Sequence, residues 1–373
     1  MIIGAPCEIK PDERKIALTP ALVQTLTSLG HKVVVQKNAG KSAGFYDEDY
    51  KKYGAEIAET SADVYSSADI IVKINPPLSD EYDLLKEEQI IFAFFDFSDK
   101  NNLMNVITEK KITTISYSKI QNKQGIFPFI KASSEVVGKT VIRIASSIVE
   151  KYSGGALLGG TTGVAPLKVT VIGAGTVGLN AAKTAVSIGA DVALLDVNPL
   201  ALRNIEVLPE RKIKTYFANQ ENISKLLPDT DILICAVKKQ HKYQPPALTV
   251  SDVKLLKKGA LIIDTGIVSG NAAVETLDRI LPCDNPIYEN DGILYYCFPD
   301  IASLAAKTIS MAISGTLSDY LISAVSYPDI IDALREKRDM ISGVLTYNGN
   351  ITNEVVADIF GETVYELSML TGF

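Results

Sequence analysis

The sequence predicts an α/β protein of two doubly wound, parallel-sheet domains, and three observations carry that prediction. Short β-branched strands alternate with helical segments over residues 1–130. A second unit of strand, glycine turn, helix and strand stands at Lys168–Asn198. At 373 residues the chain exceeds one ordinary domain. Strands separated by helices imply β-α-β crossovers and a parallel sheet.

Composition narrows the class. Apolar residues make up 47% and charged ones 22%, ordinary for a globular chain with ample core. A net charge of −7 argues against nucleic acid or an anionic membrane as partner. There is no 18-residue apolar run, and MIIGAPCEIK lacks the basic start and apolar core of a signal peptide, so a cytoplasmic location is expected. Cys7, Cys235, Cys283 and Cys297 are scattered without ligand spacing and read as buried thiols. With only His31 and His241 beside them, no metal site is expected.

In the first region Met1–Pro6, Lys32–Gln36, Ile70–Ile74, Ile90–Phe95 and Ile112–Tyr117 read as strands. Pro20–Gly30, Asp47–Tyr53 and Leu84–Glu88 read as helices. Lys73 lies inside the apolar run ADIIVKINPP, where burial is costly unless an anion meets it. The plainer alternative is a snorkelling edge residue. Ser133–Ile148 reads as a helix with Ser133 or Ser134 as N-cap, and residues 153–166, SGGALLGGTTGVAP, as a packed loop.

The most informative stretch follows. Val169–Ile172 is a short buried strand ending at Gly173, and Gly173, Gly175 and Gly178 form G-x-G-x-x-G around Thr176 and Val177. The first glycine permits the turn, the second lets a pyrophosphate approach the backbone, and the third lets helix and strand pack closely. The helix that opens here, toward Gly189 as C′, aims free N–H groups at phosphates. The next strand ends in Asp196, 18 residues past Gly178, where a carboxylate accepts both ribose hydroxyls of NAD and repels the extra phosphate of NADP. Arg203, a few residues on, is the one feature that favours NADP. Further on, Asp231–Val237, Ala260–Asp264 and Leu294–Cys297 read as strands and Pro199–Leu208 as a helix, with helices near Ile223 and Leu255. Leu304–Val325 is a long apolar helix, and the tail holds a turn at Tyr347-Asn348-Gly349-Asn350.

PCEIKPDERKIALTP, AGKSAGFYDEDY, ADIIVKINPPLSDEY, SEVVGK, LLGGTTGVAPLKVTVIGAGTVGLNAAK, GADVALLDVN and YNGNITNEVVADIFG carry a resemblance over nearly the whole chain. It resembles the alanine dehydrogenases, which share their fold with the first domain of proton-translocating transhydrogenases; the last motif is typical of the dehydrogenases. The resemblance implies two Rossmann-like domains: a discontinuous catalytic domain of residues 1–130 and 305–373, and an inserted NAD domain of residues 131–304. It implies NAD as cofactor, a small-molecule substrate in the cleft between the domains, and a homo-oligomer, hexamer or dimer. Beside the glycines and Asp196 it points to Ser134, Thr176, Val177, Val237 and Ile267 as cofactor contacts.

The family's substrate residues are an arginine, a lysine, a histidine, an aspartate and an asparagine. Lys73 matches the lysine, whereas Lys15, Asp96, Val268 and Asp300 stand in the other four places. Lysine for arginine keeps the charge and loses the bidentate fork. Asp96 is the candidate for proton work, which requires its pKa to rise by roughly 2–3 units from about 3.9. Its neighbours Phe92, Phe94, Phe95 and Phe97 favour the rise, and Lys73 and Lys15 oppose it. Alternatively, Asp96 and Asp300 read a positive group on the substrate. The resemblance with these departures implies an NAD-dependent oxidoreductase acting on an amino acid, imine or 2-oxo acid other than alanine. An opine- or saccharopine-type secondary-amine dehydrogenase, a non-catalytic NAD-binding homologue and a transhydrogenase subunit remain as alternatives. His241 reads as a solvated loop residue and Lys307 as structural.

Overall fold

The computed structural model describes residues 1–95, 97, 102–206, 212–237, 245–267 and 272–372. The chain divides into two compact units, Met1–Ser133 with Ala306–Phe373, and Ser134–Ala305. Strands β1 (Ile2–Ala5), β2 (Lys32–Gln36), β3 (Glu56–Ala58), β4 (Ile70–Val72), β5 (Ile90–Ala93) and β6 (Thr113–Ser116) build the first sheet. The second takes β7 (Lys168–Ile172), β8 (Asp191–Asp196), β9 (Ile213–Phe217), β10 (Ile232–Cys235), β11 (Leu261–Asp264), β12 (Ile287–Asn290) and β13 (Ile293–Tyr296). The tail then returns to the first sheet with β14 (Val344–Tyr347) and β15 (Asn350–Ile351).

The strand orders are β15-β14-β6-β5-β4-β1-β2-β3 and β12-β13-β11-β10-β7-β8-β9. Pairing is parallel except for β14 and β15 at one edge of the first sheet and β12 at one edge of the second. The central strand β10 of the second sheet is apolar at every position because both faces are covered. Ile232 and Ile234 enter one core cluster, while Leu233 and Cys235 enter the other.

Several elements depart from the sequence reading. The helix expected from Ser133 begins at Pro128 and runs to Tyr152, so Ser133 and Ser134 are interior residues and cap nothing. Pro128 presets the first turn, and Phe129 stacks on Tyr117 with ring centroids 4.7 Å apart, which anchors the start five residues early. No helix forms at Leu84–Glu88. A 3-10 turn occupies Ser79–Leu84 instead, and Glu88 takes φ 59°, which closes the segment. β4 stops at Val72, leaving Lys73 just beyond its carboxyl end. Edge strands β3, β9 and β15 escaped the sequence reading because they are short or half solvated, and β14 because it is a four-residue run in a tail read as helical. The tail turn is a two-residue hairpin with Asn348 at φ 45° and Gly349 at φ 79°, joining β14 to β15. Of the four cysteines, Cys235 and Cys297 are buried and Cys7 and Cys283 partly so, all as free thiols. No helix among the described residues is long and apolar enough to cross a membrane.

Candidate functional site

Each sheet reverses its direction of winding once. In the first, the chain winds outward from β1 to β3, then crosses back to place β4 on the other side of β1. In the second, β8 and β9 lie to one side of β7 and β10 to the other. Crevices outside the carboxyl ends of strands at such switch points are where open α/β sheets bind ligands. Cys7 and Glu8 follow β1 and Lys73 follows β4; Gly173 follows β7, and Ala236 and Val237 follow β10.

At the second switch point the site is made of backbone. Gly173 adopts φ +100°, and a Cβ there would lie 2.6 Å from the Ala236 carbonyl oxygen and 3.2 Å from Val237. A Cβ on Gly178 would fall 1.8 Å from the Gly173 carbonyl oxygen. On Gly175 it would meet no atom within 4 Å, which is the open space a pyrophosphate needs. The helix Thr176–Ser187 starts from Gly175 with no side chain capping it, so its first N–H groups and positive dipole end are offered to an anion. Asp196 is pinned at the rim: Ala174 N–H donates to its Oδ2 at 2.5 Å and Asn198 N–H to its Oδ1 at 2.7 Å. These residues fit a dinucleotide. Gly138 of the SEVVGK motif serves the same construction, because a Cβ there would lie 2.3 Å from the Val177 carbonyl oxygen where two helices cross. Ser134 lies about one turn earlier on that helix, half-buried. Arg203 is exposed on the helix Pro199–Glu206.

The side chain of Ile267 is buried in the core with Leu233 and Cys235. Asp264 ties down the segment carrying it, accepting the N–H groups of Gly266 at 2.7 Å, Ala273 at 2.6 Å and Val274 at 3.0 Å. Asp300 has a structural task, taking the Ser303 N–H at 3.1 Å and the Ser303 hydroxyl at 2.6 Å as N-cap of the 3-10 turn Ile301–Ala305. Asparagine and aspartate cap equally well, so the exchange at 300 preserves this role.

At the first switch point the site is made of charged side chains. The anion that burial of Lys73 demanded comes from the chain itself. Lys73, 1% exposed, donates to Glu81 Oε1 at 2.6 Å and lies 3.8 Å from Glu8 Oε2. Glu8 accepts the backbone N–H of Ile74 at 2.5 Å and of Asn75 at 3.2 Å, and Asn75 Nδ2 bridges Glu8 at 3.2 Å and Glu13 at 2.9 Å. Glu13 meets the buried Lys15 at 3.0 Å. On the far side, the Tyr65 hydroxyl donates to Glu81 at 2.8 Å. Among the described residues one polar chain thus links Lys15 to Tyr65 through three carboxylates and two ammonium groups. Burial pushes the Glu8 carboxyl above its usual range, against the opposing pull of Lys73 and the Ile74 N–H. Burial likewise raises the Tyr65 and Tyr117 hydroxyls. Tyr117 Oη is buried without a hydrogen-bond partner among the described residues, while its ring stacks on Phe129 and meets Phe94 edge-on.

Lys15 and Lys73 are therefore brought into one network, and Asp96, Val268 and His241 lie outside the described residues. Lys307 lies over the Phe45 ring at 5.6 Å. Sequence reasoning missed Glu8, Glu13, Glu81 and Asn75. The signal available was Lys73 itself, since a buried lysine requires nearby carboxylates, and Glu81 stands eight residues on in the same motif.

Residues 4–137 match the model of the alanine dehydrogenase/PNT N-terminal domain, and residues 141–354 that of its C-terminal domain. An alanine dehydrogenase of Methanococcus maripaludis is 36% identical over 359 residues, covering 96% of each chain. A solved L-alanine dehydrogenase structure superposes with a TM-score of 0.91 at 29% identity, over 97% of this chain and 99% of the other. A transhydrogenase structure from Sinorhizobium meliloti shares the fold, with a TM-score of 0.79 at 22% identity over 95% of this chain and 99% of that one. These matches establish that the chain belongs to the alanine dehydrogenase/PNT family and is an NAD-dependent oxidoreductase of the amino-acid dehydrogenase type.

Proposed function

We propose that the protein interconverts an amino acid and its 2-oxo acid, or the imine between them, with a substrate preference moved away from alanine. The observation that carries the reading is the buried, hydrogen-bonded Lys73 at the switch point of the first sheet. Lys73 would anchor the carboxylate or carbonyl oxygen of the substrate, and Lys15 would supply a second positive charge without a bidentate fork. NAD supplies or accepts the hydride when bound. Asp96 is the group proposed to hold or release the proton at the amino-bearing carbon, and Glu8 and Glu13 keep the two ammonium groups from being buried as an unbalanced pair. The departures from the family pattern at 15, 96 and 268 support the shift in preference, since each alters charge or hydrogen-bonding capacity; the exchange at 300 supports it least.

A secondary-amine, opine-type reaction is the second reading. It is favoured by the surplus of carboxylates, Glu8, Glu13 and Glu81 against Lys15 and Lys73, which suits a basic group on the substrate. The test is a panel of 2-oxo acids, pyruvate included, with ammonium or with primary amines, followed by loss of NADH. Turnover with a 2-oxo acid larger than pyruvate plus ammonium is the expected result. Turnover only with amines selects the second reading. Silence throughout, in protein that still binds NADH, rejects both.

A further inference from the structure

We propose that Glu81 is the positioning residue for Lys73, with Tyr65 and the Leu78 N–H fixing its carboxylate. The proposal rests on the reading of Lys73 as the substrate anchor given above. A lysine reaches its target through a flexible four-carbon stem, so its ammonium is well placed only if something else holds it. Here that is a carboxylate fixed from three directions. Glu81 Oε1 accepts Lys73 at 2.6 Å and the Tyr65 hydroxyl at 2.8 Å, and Oε2 accepts the Leu78 N–H at 2.9 Å. The donors come from three separate segments: the end of β4, the helix Ser61–Ser67, and the start of the Ser79–Leu84 turn. With both oxygens engaged, the carboxylate cannot rotate without breaking a bond.

Glu8 does not share this role. Its oxygens are taken by Ile74 and Asn75, and it stands 3.8 Å from Lys73, so it contributes charge without direction. The Cys7 carbonyl oxygen also approaches the ammonium, at 3.5 Å. Among the described residues the contacts of Lys73 thus divide into one short bond and two long ones. An incoming carboxylate or carbonyl oxygen would displace the long contacts and leave the short one, so Glu81 holds the ammonium in place before and after binding. Stability alone does not call for this arrangement, because a buried ion pair is commonly no better than well-packed apolar residues.

Three variants separate aim from packing. E81D keeps the charge and shortens the reach, E81Q keeps the shape and removes the charge, and Y65F leaves the pair but frees the carboxylate to turn. With the 2-oxo acid that reacts fastest in the panel, E81D is expected to lower kcat/KM on the order of a hundredfold, because a misplacement of about 1 Å costs that much. Y65F should lower it by less, and neither should change the Kd for NADH. In protein carrying ¹⁵N at the lysine Nζ, a slowly exchanging ammonium signal that is absent in K73M should be present in the wild type and broadened or lost in E81Q. Folded E81D and Y65F with wild-type kcat and KM, or an unchanged ammonium signal in E81Q, would overturn the proposal even if their melting temperatures fall. Should E81Q not fold, E81D and Y65F decide the matter. Wild-type kcat/KM in K73M would instead overturn the reading of Lys73 as anchor, and this proposal with it.

Discussion

The two switch points occupy equivalent positions in two sheets of the same winding, yet they are built from different material. The second is a backbone site: three glycines, a helix start without a cap, and one carboxylate. The first is a side-chain site: two lysines, three glutamates, an asparagine and a tyrosine in one chain of hydrogen bonds and ion pairs. A pyrophosphate is recognised by what is missing at each Cα, so its site tolerates almost no substitution. A small polar substrate is recognised by charges, whose identity can be exchanged while the frame stays. This is why the glycine motif is complete here while the positions proposed for the substrate carry other residues than the resemblance implies.

The largest expected effect breaks the backbone site. In G178A the new methyl meets the Gly173 carbonyl oxygen at 1.8 Å, and neither strand nor helix can yield. A loss of stability beyond the about 1–3 kcal/mol of ordinary overpacking is expected, with loss of NADH binding. G175A sharpens the point. Nothing lies within 4 Å of its Cβ, so its melting temperature should match the wild type while NADH affinity falls about tenfold or more. Wild-type NADH binding by G175A in a fluorescence titration would show that the pyrophosphate does not pass there.

A smaller effect probes the charged site. Because Glu8 binds its proton more tightly in the folded state, wild-type stability should fall as pH rises from the ordinary carboxyl value of 4.5 toward the raised one. E8Q has no proton to lose, so denaturant melts across that window should show its stability gaining on the wild type with pH. Parallel curves for the two proteins would mean that Glu8 ionises without penalty. The smallest effect is expected for D300N, which retains the cap on Ile301–Ala305 and should stay within about 0.5 kcal/mol of the wild type. If D300N nevertheless changes which 2-oxo acids react, Asp300 reads substrate charge as well as capping the turn.

The same contrast explains what was legible in the sequence. Glycine spacing reports a backbone geometry directly, so the cradle, Asp196 and the alternation of strand and helix could be read from residues alone. Lys73 could be flagged as anomalous, but its partners come from the segment after β1 and from a turn eight residues on, and only the folded sheet brings them together. The start at Pro128 was hidden because Phe129 is helical on account of Tyr117, a contact no local pattern contains. The capping role of Asp300 was not legible because it depends on a turn that begins after it.

The hairpin at Asn348-Gly349 has a consequence for how the protein is made. The outer edge of β6 is closed only by β14, where the Thr114 and Thr346 hydroxyls meet at 2.8 Å in the interior. On the ribosome, residues 113–116 emerge long before residues 344–347, while the unit Ser134–Ala305 is one continuous stretch. Domains generally fold as units during synthesis. The unit Ser134–Ala305 is therefore complete while the older, amino-terminal sheet still waits with an unpaired edge, and the unit that holds Lys15 and Lys73 is the last to be finished.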